Sequence, residues 1–190
     1  MLNPRLKQET KSKLAIVNVV STANLNQKVA IRRFNELGSG IYDLAIYGGR
    51  CGYVKTPEMD GRVTIFSSGK MISVGGKSIK KSIEQLNQAK FYLVRENLIQ
   101  DTILRPKIQN IVATLALPKP LRIAETYDKL IGAIYEPEQF PGIILKSISS
   151  VSYLIFASGK IVITGAKSKK ELSTAAFEIQ QKLGVVKLGF

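Results

Sequence analysis

The 190-residue sequence has no histidine and a single cysteine, Cys51. The missing histidine excludes Ser-His-Asp and Cys-His nucleophile systems and any His-ligated zinc. One cysteine excludes an internal disulfide and a cysteine-cluster metal site. No apolar run approaches the roughly 20 residues that span a bilayer. The opening stretch, residues 1–10, has no continuous apolar core of the secretory type, so an intracellular protein is expected, with no membrane partner. Paired catalytic carboxylates and nucleotide-phosphate loops are also missing, which predicts a protein that is not an enzyme and needs neither metal nor cofactor. Acidic residues are scarce: 14 Asp and Glu against 28 Lys and Arg, a net charge of +14. The excess is uneven, with 16 basic and 6 acidic residues in 1–95 and 12 and 8 in 96–190. It favours a polyanionic partner, nucleic acid or an acidic membrane surface, although many basic proteins bind nothing specific.

What is present is enough for a packed core. Hydrophobic residues make up 45% of the chain, which excludes wholesale disorder, and the length fits one domain or two small ones. The most informative stretch is Tyr153 to Lys167, two short runs of β-formers joined at Ala157-Ser158-Gly159. It reads as a hairpin. By parity Leu154, Phe156, Val162 and Thr164 share one face, and Tyr153, Ile155, Ile161 and Ile163 the other. Both faces are largely apolar, so each is expected to be covered.

The same hairpin occurs earlier, at Val63 to Lys77. Ser68-Gly69-Lys70 and Ser158-Gly159-Lys160 stand 90 positions apart, and Phe66/Phe156 and Gly75/Gly165 keep that offset. Asn18-Val19-Val20 and Asn110-Ile111-Val112 stand 92 apart, and Tyr42 to Gly49 aligns at 93 with Tyr135 to Gly142. Each copy reads as a strand, a helical segment, further strands and a helix. The expected elements are strands at 14–25 and 108–117, helical segments at 28–37 and 123–133, and helices opening at Ser78 and Ser168. The second of these carries a capping-box match, Ser168 to Glu171. Residues 41–59 read as Gly-rich and irregular, with a short strand. Two such copies predict pseudo-twofold symmetry and one antiparallel sheet with helices on one face. The other face then carries Asn18, Val20, Phe66, Ile72, Val74, Asn110, Val112, Leu154, Phe156, Val162 and Thr164, an apolar surface of the kind that marks an interaction site. Taken alone, Phe66 and Phe156 read better as core residues, and Cys51 as a semi-buried small apolar residue; the repeat and the matched asparagines on the same face turn the two rings toward an interaction surface. Lys80-Lys81 and Lys169-Lys170 read as solvated helix faces.

Three stretches carry a specific resemblance: residues 106–112 (Pro-Lys-Ile-Gln-Asn-Ile-Val), 135–142 (Tyr-Glu-Pro-Glu-Gln-Phe-Pro-Gly) and 154–160 (Leu-Ile-Phe-Ala-Ser-Gly-Lys), the last leading to Thr164-Gly-Ala-Lys167. In this order, and from about Lys13 onward, the chain resembles the TATA-box-binding protein family, its archaeal members above all. The resemblance implies an α+β fold of two pseudo-symmetric repeats forming a saddle, with one curved antiparallel sheet and helices on the convex face. The implied organisation is a flexible lead-in at 1–12, a first repeat at 13–100 and a second at 101–190. It implies a general transcription initiation factor that binds and bends A·T-rich promoter DNA through the minor groove and recruits transcription factor B and RNA polymerase. Phe140 and Phe156 would then be a wedge pair, and Phe66 half of another, with Tyr47 at the position of the other wedge phenylalanine. Asn18 and Asn110 would donate to minor-groove acceptors, with Thr164 as a further hydrogen-bonding group. Val20, Ile72, Val112, Leu154 and Val162 would pack on sugars and bases, and Lys70, Lys77, Lys146, Lys160 and Lys167 would meet phosphates. Glu136 and Glu138 would form an acidic stirrup for transcription factor B. Tyr47, Thr64, Val74 and residues 50–60 depart from the family pattern. They point to an alternative, a divergent paralog acting as a regulatory protein-interaction module with weak or altered DNA specificity. The apolar face also makes a homodimer without DNA plausible on physical grounds. The closing residues, Lys187-Leu-Gly-Phe190, do not resemble the acidic tail expected from many archaeal members.

Overall fold

The computed structural model describes residues 12–147 and 149–185. The lead-in expected at 1–12 and the closing residues 187–190 therefore fall almost wholly outside the described residues. Nine strands and three α-helices are present among them: β1 Lys13–Asn24, β2 Gly40–Tyr42, β3 Cys51–Val54, β4 Arg62–Phe66, β5 Lys70–Gly76, α1 Ile79–Arg95, β6 Lys107–Ala116, α2 Ile123–Asp128, β7 Ile143–Lys146, β8 Ser152–Ile155, β9 Lys160–Ala166 and α3 Lys169–Lys182. The strands form one open antiparallel sheet with hydrogen-bonding order β2-β3-β4-β5-β1-β6-β9-β8-β7. The expected α+β class holds. No helix among the described residues is long and apolar enough to cross a membrane.

The described residues pack as two compact units, Ile16–Val112 and a second drawn from 12–15, 113–147 and 149–185. In the first, β4 and β5 pair with Thr64 opposite Ile72 and Val63 opposite Ser73. Alternation then sends Val63, Ile65, Met71 and Ser73 into the core, where Leu86, Ala89 and Leu93 of α1 and Phe34 complete the packing. Along α1 the buried positions recur at three- and four-residue spacing, the stripe a surface helix needs. Ser78 caps it by accepting from the Lys81 N–H at 3.1 Å, satisfying a donor the helix start leaves unpaired. Between β1 and β5 the register shifts at Val19/Ser21. There Val74 and Gly75 of β5 stand against the single Val20 of β1, and Gly75 is at φ +88°, a left-handed conformation glycine adopts without a Cβ penalty.

In the second unit β8 pairs with β9 and with β7. Leu154 stands opposite Val162 and Ile144, and Tyr153 opposite Ile163 and Leu145. Tyr153, Ile155, Ile161, Ile163 and Ile143 have no exposed area, and Leu172, Ala175, Ala176 and Ile179 of α3 are buried as well; α3 packs on β9, and the Tyr153 hydroxyl donates to Ala175 O at 3.2 Å. Ser168 accepts from the Glu171 N–H at 3.1 Å, as a capping box requires. The return bond differs from the motif: Glu171 Oε2 accepts from the Lys167 N–H at 2.7 Å, one residue before the cap.

Three expectations need correction. The segment expected as an amphipathic helix at 28–37 is a 3₁₀ helix, Ile31–Glu36. The helical segment expected at 123–133 stops at Asp128, where i→i−3 bonds at Leu130 and Ala133 take over and Gly132 adopts φ +78°. Cys51, expected half-buried, is fully buried on β3.

Candidate nucleic-acid interface

Each unit presents a strand face that no helix covers. In Ile16–Val112, the alternate positions Asn18, Val20 and Thr22 of β1, Thr64 and Phe66 of β4, and Ile72 and Val74 of β5 are half-buried, while Val19, Ser21, Val63, Ile65, Met71 and Ser73 between them are buried. Asn110 and Val112 on β6 have the same exposure. In the second unit Ile144, Leu154, Val162 and Thr164 are half-buried on the same alternation. The half-burial comes from strand neighbours crowding one another, so an apolar surface remains in contact with solvent.

Asn18 is held in one orientation. Its Oδ1 accepts from the Gly75 N–H at 2.8 Å. Because the partner is a backbone donor, the amide must turn its NH₂ away from Gly75, leaving two N–H donors for other acceptors. The β5 irregularity at Gly75 thus fixes the side chain expected to donate.

At the end of β8 two rings meet. Phe140 and Phe156 pack edge to face with centroids 5.6 Å apart, the arrangement ring quadrupoles favour. Both are half-buried. Phe140 is set by a turn in which its N–H donates to the Glu136 carbonyl at 2.9 Å, and Phe156 by its N–H donating to Lys160 O at 3.0 Å. Gly142 lies against both: a Cβ there would meet Phe140 Cε1 at 3.0 Å, Phe156 Cδ1 at 3.2 Å and Ile155 O at 3.0 Å. The first unit differs. Tyr47 has φ +49° inside a 3₁₀ turn and is 72% exposed. Among the described residues no ring contact joins it to Phe66.

Charge is segregated. Lys70, Lys77, Lys146, Lys160 and Lys167 are exposed, and none makes an ion pair among the described residues. Lysines on the helices do pair: Lys80 with Glu84 at 3.7 Å, Lys81 with Asp60 at 3.2 Å, Lys90 with Asp101 at 2.6 Å and Lys182 with Glu178 at 3.9 Å. The lysines at the strand ends are thus left with free charge, as are Lys169 and Lys170 at the start of α3, which make no ion pair among the described residues. Glu136 and Glu138 are exposed on the turn that sets Phe140.

This combination agrees with what the comparisons find. The sequence profile of the family described as "Transcription factor TFIID (or TATA-binding protein, TBP)" matches residues 13–92 and again 105–185. The chain belongs to the TATA-box-binding protein family. Family members are DNA-binding transcription factors rather than enzymes, and the role they take is in transcription initiation. The TATA-box-binding protein of Cenarchaeum symbiosum is 46% identical over 183 residues, covering 96% of this chain and 97% of that protein. The one from Pyrodictium occultum is 34% identical over 181 residues, covering 93% and 89%. Among solved structures, that of Methanococcus jannaschii TBP superposes with a TM-score of 0.80 at 27% identity, covering 92% of this chain and 99% of that one. The chain is thus of the archaeal type, and its open nine-stranded sheet is the fold of the TATA-box-binding proteins.

Beside the family pattern one feature of this face escaped the sequence reading. Arg62 lies at 4.4 Å over the ring of Tyr53. Tyr53 is buried and Arg62 exposed, and the register puts both on the side of Thr64 and Val74, since Tyr53 is opposite Thr64 and Arg62 opposite Val74. The parity Arg62, Thr64, Phe66 carried half of this signal. Tyr53 was hidden because residues 50–60 align poorly between the repeats.

Proposed function

We propose that the two repeats, 13–100 and 101–190, act together as one clamp that binds A·T-rich promoter DNA through the minor groove and bends it. The observation that carries this reading is the edge-to-face pair Phe140–Phe156 at the end of an uncovered apolar strand face. Inserted apolar side chains partly unstack base steps and kink the duplex, a mode of which this family is itself the standard instance. A·T pairs offer only acceptors in the minor groove. The amides of Asn18 and Asn110 are suited to that surface, and Val20, Ile72, Val112, Leu154 and Val162 to sugars and base edges. Phe66, Tyr47 and Thr164 complete the proposed contacts. Lys70, Lys77, Lys146, Lys160 and Lys167 supply sequence-independent attraction to phosphates. Glu136 and Glu138, exposed beside the wedge, are the proposed contact for transcription factor B, through which RNA polymerase is recruited. The protein would accordingly reside with the DNA, and a second copy would cover the apolar face when DNA is absent.

A gel shift comparing a TATA duplex with a scrambled duplex, with and without transcription factor B, tests this. Selective retardation of the TATA duplex, strengthened by transcription factor B, is expected. Equal weak binding to both would favour the second reading, a paralog acting as a regulatory interaction module. The exposed Tyr47 turn, with Leu44 also 68% exposed beside it, is what speaks for that alternative.

A further inference from the structure

Equivalent rows of the two strand faces differ in chemistry. In the second repeat Ser152 stands opposite Thr164, two hydroxyl-bearing residues. Ninety positions earlier the same row is Arg62 opposite Val74. Val74 brings only methyl groups, so whatever a hydroxyl does in the second repeat cannot be done at that position in the first. The neighbouring strand carries a donor instead, and a charged one.

That donor is prepared for use. The guanidinium carbon lies 4.4 Å from the centre of the Tyr53 ring, and the side chain as a whole stays exposed to solvent. Arg62 is exposed and makes no ion pair among the described residues, whereas Arg33, Arg95 and Arg122 are each paired with a glutamate. A stacked guanidinium loses less freedom on forming hydrogen bonds than a free side chain does. The strand geometry holds it there. Gly61 packs so close to β5 that a Cβ would meet Val74 O at 1.8 Å, and its N–H is fixed by Gln85 Oε1 at 2.8 Å. Around the stack, Ile41, Lys55 and Val74 help line a shallow hollow of about 250 Å³. Lys55 brings a second cation to its rim.

We infer that Arg62, seated on Tyr53, is a DNA-contact residue of the first repeat. It donates to acceptors of the groove or its bordering phosphates where the second repeat presents hydroxyls. The inference rests on the reading of the strand face as the DNA surface. It implies that the first repeat's contact is more ionic than the second's, and more dependent on salt.

The test is fluorescence anisotropy with an A·T-rich duplex between about 50 and 200 mM salt, on the parent, Arg62→Gln, Arg62→Lys and Lys80→Ala. Arg62→Gln is expected to weaken binding roughly five- to twentyfold at the low-salt end and to reduce the salt slope by about 0.9, the value of one phosphate neutralised. Arg62→Lys keeps the slope but recovers affinity only in part, because ammonium lacks the planar stack. Lys80→Ala, on a helix and paired with Glu84, is expected to match the parent. Thermal melting of each variant checks the fold; Arg62 is exposed, so all should melt like the parent. Arg62→Gln within twofold of the parent at an unchanged slope overturns the inference alone. So does a loss of affinity without a change in slope. A parent that fails to bind A·T-rich DNA overturns the reading of the face itself, and this inference with it.

Discussion

Gly142→Ala is the sharpest perturbation of the ring pair, because it adds one methyl and no charge. The new Cβ would lie 3.0 Å from Phe140 Cε1, 3.2 Å from Phe156 Cδ1 and 3.0 Å from Ile155 O. Contacts this close require something to move. Ile155 pairs with Ile143 on one side and Ile161 on the other, and all three are fully buried, so its carbonyl is pinned. The rings, half-buried at a strand end, are what can give. Overpacking of this size costs roughly 1–3 kcal/mol, and for a chain of this length each kcal/mol lowers Tm by about 2–4 °C. A fall of roughly 2–12 °C is expected.

The functional readout is bending, measured by energy transfer between dyes at the two ends of a promoter duplex. Displaced rings should lower the transfer efficiency and weaken binding about tenfold. Gly38→Ala is the matched control, since a Cβ there meets nothing within 4 Å. In a Phe140→Ala background the Gly142→Ala effect should shrink by more than half, because one of the obstructing rings is gone. If Gly142→Ala melts, binds and bends like Gly38→Ala, the ring pair is not seated on Gly142 and its assignment as a wedge loses its structural basis.

Asn18→Asp keeps the oxygen that accepts from Gly75 but replaces two donors with negative charge, so Tm should hold within about 2 °C while DNA affinity falls at least about tenfold. Lys160→Ala and Lys70→Ala should each reduce the salt slope of binding by about 0.9, whereas Lys90→Ala, which removes the partner of Asp101, should leave it unchanged. Ser82→Ala removes the hub of a buried cluster, where Ser82 Oγ meets Ser21 Oγ at 2.7 Å and Ser73 Oγ at 3.4 Å. It should cost about 1–3 kcal/mol by urea denaturation, and Ser21→Ala/Ser82→Ala should cost less than the two single changes added together. Burial, followed by the neighbouring charge of Glu178 and a hydrogen bond to it, holds the Tyr153 hydroxyl well above the usual tyrosine range. A pKa raised in the folded state gives stability that is complete below the unfolded value of about 10 and is lost as pH climbs past it. Tyr153→Phe should flatten that alkaline loss in pH-dependent melts.

The hairpins were readable because their two faces have different fates and strict alternation reports it. Val63, Ile65, Met71 and Ser73 are buried where Thr64, Phe66, Ile72 and Val74 are not, and the same parity sorts Tyr153 to Thr164. The stretch 41–59 resisted for the opposite reason. Every residue of β3, Cys51 to Val54, is buried, so no alternation exists to be seen, and β2 is only three residues long. At Ile31, Phe34 and Leu37 the apolar spacing is three throughout. That is the period of a 3₁₀ helix rather than of an α-helix, and the structure follows it. The Arg62–Tyr53 stack lay beyond reach because it joins adjacent strands across a connection that does not align between repeats.

Copies of one repeat need not remain chemically equal, and here they diverge inside as well as outside. The first core holds Ser21, Ser73, Ser82 and Gln85 in a connected network, with Gln85 Nε2 donating to Ser73 Oγ at 2.7 Å. At matching positions the second holds Ala113, Ile163, Leu172 and Ala175, all buried. Gln85 also accepts from the Gly61 N–H, immediately before Arg62. The polar core of the first repeat is therefore linked directly to the strand that carries its charged surface residue. In the second repeat Ala175 replaces Gln85 and no such tie is available from that position. A hydrogen bond whose net worth is about 1 kcal/mol can in this way do more than stabilise: it fixes the start of β4, and with it the register that sets Arg62 opposite Val74. Gln85→Leu should accordingly weaken DNA binding in the parent but add little once Arg62 is already Gln. A polar core that served stability alone would leave the two losses independent.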